Sequence, residues 1–167
     1  MSEFKEIKAT EISGNLIDKL KNDWMLITAQ KDEKVNTMTA SWGGFGELWG
    51  KDVSYIVVRP SRYTYEFLQQ GEFYSLCFFD DSQKSILAAC GKESGRDTDK
   101  ISKHNLTVSF DNAPYFQEAQ LVIICKKLYS QMIEKDNFED KNFADATYPD
   151  TDIHRLYIGE IVKVLQK

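Results

Sequence analysis

The chain has 167 residues, 42% hydrophobic and 13% aromatic, enough for one domain with a core that folds without staples and too little for two full domains. Lys and Arg number 21 against 26 Asp and Glu, a formal charge of -5 with the acidic residues scattered, so a dominant electrostatic attraction to nucleic acid or anionic lipid is not expected. Cys77, Cys90 and Cys125 form no C-x-x-C pair, which points away from a disulfide framework or zinc ribbon and towards reduced thiols in a cytoplasm.

Taken in chain order, the charged start carries no signal-like apolar stretch, and no run is long enough to span a membrane. The whole chain, 1–167, is therefore expected to be one cytoplasmic domain. The first strand is predicted at Trp24 to Gln30, paired through Lys31 to Lys34 with a second at Val35 to Trp42, whose polar face is rich in hydroxyls. Val53 to Val58 and Phe73 to Phe79 are apolar on both faces and suit central strands. Between them Tyr63 to Gln70 reads as a short helix with Ser61 as N-cap and Gly71 as its stop. Further short helices are predicted at Ser82 to Cys90, stopped by Gly91, and at Asp97 to His104, with Asp97 as N-cap. Ala119 to Met132 reads as a long strand bent near Lys126-Lys127, and Arg155 to Leu165 closes the chain, interrupted near Gly159. The result is an α+β chain, mainly antiparallel β, most economically a small barrel with short crossover helices.

Three segments carry candidate chemistry. Asn36-Thr37-Met38-Thr39-Ala40-Ser41-Trp42 leads into Gly43, Gly44 and Gly46, so small polar side chains are followed by an aromatic and by glycines that let a backbone approach a flat ligand. A strand running into a flexible hairpin turn is the plainer reading. Arg59-Pro60-Ser61-Arg62-Tyr63-Thr64 sets two guanidinium groups and two hydroxyls at a helix N-terminus, an anion site in outline or an ordinary capped helix with solvated arginines. Gly91 to Lys100, with Ser94, Gly95 and Arg96, is a charged turn that either adds an anion ligand or is a surface loop. No phosphate-binding P-loop and no G-x-G-x-x-G fingerprint is present. His104 reads as structural, no ligand spacing suggests a metal, and Cys77 reads as a core thiol.

Together NTMTASWGG, VRPSRYTYEF, CGKESGRDTDK and HRLYIGEIVKV, in this order, resemble the flavin reductase-like, FMN-binding split-barrel family and its flavoredoxin type, from about Trp24 to Leu165. The resemblance implies a split-barrel homodimer that holds FMN, rather than FAD, noncovalently near the subunit interface. It implies that Asn36, Met38, Thr39, Ala40, Ser41 and Trp42 lie along the isoalloxazine ring, with Arg59, Ser61, Arg62, Tyr63 and Thr64 on the phosphate side. It further places Cys77, Phe78 and Phe79 on a strand passing near the flavin, Ser94, Gly95 and Arg96 beside the cofactor, and His154 near a reduced nicotinamide. No catalytic side chain is needed, because the flavin carries the chemistry. The loop from Phe45 to Gly50 departs from many relatives in its large aromatics: Trp42 or Trp49 could cover the ring and restrict NAD(P)H as donor. Two functions follow, an FMN-dependent oxidoreductase and an FMN electron carrier serving a redox protein partner. A barrel without flavin is a third.

Overall fold

The computed structural model describes residues 3–167. Ten strands follow in chain order: β1 (Lys5–Ile7), β2 (Met25–Lys31), β3 (Lys34–Ala40), β4 (Gly43–Leu48), β5 (Lys51–Val58), β6 (Phe73–Phe78), β7 (Val108–Asp111), β8 (Ala113–Phe116), β9 (Leu121–Met132) and β10 (Arg155–Gln166). The helices are α1 (Leu16–Asp18), α2 (Tyr63–Gln70), α3 (Lys84–Lys92), α4 (Lys100–Lys103) and α5 (Lys141–Thr147). The main sheet runs β3-β2-β6-β9-β10-β5-β4, with β1 added on β10, and all its pairings are antiparallel. The path does not close, since β3 and β4 are its ends.

Most of the sheet follows the expected pattern. β2 and β3 pair from Met25↔Ala40 to Lys31↔Lys34, and Asp32 takes the left-handed φ of 53° that so tight a turn needs. β9 and β10 bridge the two halves of the sheet, and Leu128 is an extra residue in β9 where the register shifts between Ile158 and Gly159. This is the expected bend, one residue beyond Lys126-Lys127.

The stretch after Trp42 is no loop: Gly43–Leu48 is a strand paired with β5, closed by Trp49 and Gly50 at φ 58° and 70°. Its glycines lower local strand propensity, but ladder pairing and the packing of Phe45 against Phe78 outweigh that. Ser61 does not cap α2; Arg62 occupies the N-cap position without a side-chain cap. α3 runs through Gly91 to Lys92, and α4 starts only at Lys100, capped by Asp99 rather than Asp97. β1, the β7–β8 hairpin and α5 were not expected.

Two apolar clusters sandwich the sheet. One gathers Met25, Ile27, Met38, Phe67, Leu68, Leu76 and Tyr157 beneath α2, whose Thr64, Phe67 and Leu68 recur at helical spacing. The other gathers Leu26, Cys77, Leu87, Cys90, Phe116 and Val122 beneath α3 and β8. α2 and α3 thus flank the end of β3, and this fixes the position of the site. Among the described residues no helix is long and apolar enough to cross a membrane.

Candidate functional site

Where β3 ends, two cavities adjoin and share Met38 and Arg62. The wider, of about 340 Å³, is lined by Met38, Thr39, Ala40, Ser41, Trp42, Val57, Arg59, Arg62 and His154. The narrower, of about 110 Å³, is lined by Asn36, Met38, Ser61, Arg62, Tyr63, Thr64, Lys92, Glu93, Ser94, Gly95 and Lys100. The three sequence segments therefore converge on one cleft.

The narrow end is cationic. Lys100 is only 3% exposed, and its Nζ donates to the carbonyls of Cys90 (3.0 Å) and Glu93 (3.1 Å). Burial, with a smaller contribution from the nearby Arg62 charge, lowers its pKa to about 8. Arg62 Nη1 donates to the Gly91 carbonyl at 3.0 Å, and burial holds its guanidinium below its ordinary pKa. Among the described residues neither cation is paired with a carboxylate. The Glu93 carboxylate instead binds Lys103 at 2.7 Å and His104 at 3.3 Å. The uncapped first turn of α2 adds free N–H groups here. Gly95 is required by close approach, because a Cβ there would lie 2.0 Å from Asn36 Oδ1 and 3.1 Å from the Tyr63 ring.

Other predicted anion ligands are committed elsewhere. Ser61 donates through N and Oγ to the Asp152 carboxylate, at 3.2 and 2.5 Å. Arg59 donates to the Asp152 carbonyl at 2.9 Å and lies 3.7 to 3.8 Å from the carboxylates of Asp150 and Asp152. Arg96 turns away from both cavities to pair with Glu66 at 2.8 Å, stacked over Tyr63, and that pairing lowers the Glu66 pKa. Asn36 donates to Thr64 Oγ1 at 2.8 Å, tying β3 to the start of α2.

At the wide end the Thr39 hydroxyl donates to the Leu87 carbonyl of α3, so this segment offers the cavity chiefly backbone, Ser41 and Trp42. Trp42 is 53% exposed and stacks on His154, ring centroids 5.1 Å apart. Burial and Arg59 push the His154 pKa down to about 4, leaving a neutral imidazole at pH 7. Trp49 packs edge-on against Tyr129 at the other end of β4 and lines neither cavity. The side chains of Cys77, Phe78 and Phe79 lie in the two apolar clusters and line neither cavity. The His104 ring meets the Glu93 carboxylate at 3.3 Å rather than helix-end carbonyls.

Sequence reasoning missed Lys100, Val57, Tyr148 and Asp152. Lys100 closes the third segment, but nothing local separates a buried lysine from a solvated one.

Flavoredoxin from Methanosarcina acetivorans superposes with a TM-score of 0.69 at 18% identity, covering 87% of this chain and 68% of that one. The FMN-binding protein from Thermus thermophilus with bound p-hydroxybenzaldehyde gives 0.69 at 18% identity, covering 98% and 82%. An FMN-binding domain of a flavin reductases-like enzyme from Shewanella baltica gives 0.71 at 15% identity, covering 99% and 79%. At these identities the likeness is one of fold, and the open antiparallel sheet is a split barrel. No curated protein matches. The family model described as flavin reductase like domain matches residues 17–167, and the chain belongs to that family.

Proposed function

We propose that this chain is an FMN-binding oxidoreductase of the flavin reductase type, drawing electrons from NAD(P)H and working as a cytoplasmic homodimer. The carrying observation is the pair of cations, Arg62 and Lys100, that share the narrow end of the cleft without a carboxylate partner among the described residues. A phosphate monoester satisfies both charges and the free N–H groups of α2 at once. The residues present therefore fit FMN: Arg62, Lys100 and the start of α2 would hold its phosphate, and Met38 to Trp42 would line its ring. When bound, FMN supplies the redox chemistry, accepting a hydride and releasing electrons.

The chain binds and orients. Backbone groups of Thr39 to Ser41 present hydrogen-bonding atoms to ring heteroatoms, Met38 gives an apolar wall, and Trp42 with His154 shields one side from water. His154 adds no positive charge to that wall at pH 7, which leaves the cationic field concentrated at the phosphate end.

A second reading, an FMN carrier that serves a protein partner, is favoured by Trp42. Half exposed at the rim and stacked on His154, it narrows the approach for a second planar ligand. One experiment separates the readings. The purified protein is scanned in the visible range, its released flavin identified, and NADH or NADPH added without air. Yellow protein that releases FMN and bleaches promptly is the expected result. Yellow protein indifferent to both nicotinamides favours the carrier, and colourless protein that refuses added FMN overturns both.

A further inference from the structure

The connection between β9 and β10 carries an aromatic group that the flavin reading leaves without a task. Tyr148 is 3% exposed, and its hydroxyl lies 2.9 Å from His154 Nδ1. The Tyr148 ring is fixed from several sides: Phe138 packs edge-on at 6.1 Å, the Arg59 guanidinium lies 5.6 Å from its centroid, and Lys135 holds its carbonyl at 2.9 Å. The His154 carbonyl accepts from Ile133 N at 3.0 Å, and its ring stacks on Trp42.

A buried phenol must donate its proton, and among the described residues His154 Nδ1 is its one acceptor. Nδ1 is therefore bare, and in a neutral imidazole the hydrogen sits on Nε2. Among the described residues Nε2 has no hydrogen-bond partner, yet none of their buried side-chain polar atoms is left unpartnered, so Nε2 is accessible through the cavity that His154 lines. We infer that Tyr148 is a positioning residue that locks His154 as a neutral Nε2–H donor facing the wide end of the cleft.

Such a donor suits a carbonyl oxygen on a planar ligand and opposes a cation or an N–H group at the same point. That consequence rests on the proposed function; the tautomer itself does not.

The test is the nitrogen NMR spectrum of the imidazole in the full chain carrying His104→Gln, which leaves His154 as the only histidine. At pH 7 the expected spectrum has a protonated Nε2 and a bare Nδ1. In Tyr148→Phe, which keeps the ring and removes the hydroxyl, both tautomers are populated and the two resonances move towards each other. A hydrogen found on Nδ1 in the parent, or a Tyr148→Phe spectrum unchanged from the parent, overturns the inference. The parent spectrum alone decides the hydrogen's position if the variant fails to fold. FMN uptake, measured separately, reports on the proposed function and leaves this result standing.

Discussion

Lys100 and Arg62 face one cavity of about 110 Å³, and the donors they use in the protein go to main-chain carbonyls rather than to carboxylates. A buried ammonium beside a partly buried guanidinium costs free energy that an anion bound between them recovers. Arg62→Ala and Lys100→Met are each expected to weaken FMN binding by about tenfold or more, since a charge-assisted hydrogen bond contributes about 1.5 to 3 kcal/mol. Arg59→Ala should cost less, because Asp150 and Asp152 already neutralise Arg59. Titration of flavin fluorescence checks the order. An Arg59→Ala loss larger than both others would move the phosphate to the Arg59–Ser61 side.

The same lysine gives a pH dependence. Its folded pKa, about 8, lies below the ordinary 10.5, so between those values the unfolded chain binds more protons and stability rises with pH. Below pH 8 the buried charge is fully destabilising. Flavin-free protein should therefore gain stability from pH 8 towards 10, by at most about 1.4 kcal/mol per unit from this group. Lys100→Met should flatten that rise in urea unfolding curves. Inorganic phosphate should bind more weakly above pH 8, where the ammonium is lost. Identical pH profiles for parent and variant would show that Lys100 is not the titrating group.

Much of this cleft was legible because its segments carry local signals. Hydroxyls and an aromatic on a strand, two arginines before a helix, and a Ser-Gly-Arg turn marked the pieces, and the β2–β3 hairpin fixed their neighbourhood. Which donor faces the ligand was not legible. Ser61 and Arg59 look like anion ligands until Asp152, some 91 positions from Ser61, satisfies them. Lys100 looks solvated until two carbonyls from the end of α3 enclose it. Both outcomes depend on contacts between distant segments, and no local pattern encodes them. β4 was hidden for a related reason: three glycines erase the strand signal that its partner β5 restores.

Gly159 marks a packing constraint in the middle of β10. A Cβ there would lie 2.5 Å from Tyr74 Oη and 3.0 Å from Cys125 Cβ, inside a network in which Ser54 Oγ meets Tyr74 Oη at 2.9 Å and Cys125 Sγ at 3.2 Å. Gly159→Ala is expected to destabilise by about 1 to 3 kcal/mol through overpacking. Removing the obstructing oxygen should relieve part of that, so Gly159→Ala with Tyr74→Phe should lose less than the sum of the single changes. Urea unfolding of the four proteins closes the cycle. Strict additivity would show that Tyr74 is not what the added methyl meets.

Trp42 and Trp49 flank β4, one before its first residue and one after its last, roughly 20 Å apart along an extended strand. Trp42 lines the wide cavity, while Trp49 packs edge-on against Tyr129 away from it. A flavin in the cleft should therefore quench Trp42 strongly and Trp49 weakly. Trp42→Phe is expected to lose most of the tryptophan quenching seen on adding FMN, and Trp49→Phe to keep it. Trp42→Phe should also open the rim and raise the rate of flavin reduction by added NADH, if the stack on His154 is what restricts the donor. Equal quenching in both variants would place the ring outside this cleft. Unchanged reduction after Trp42→Phe would mean that the tryptophan walls the cavity without limiting access to it.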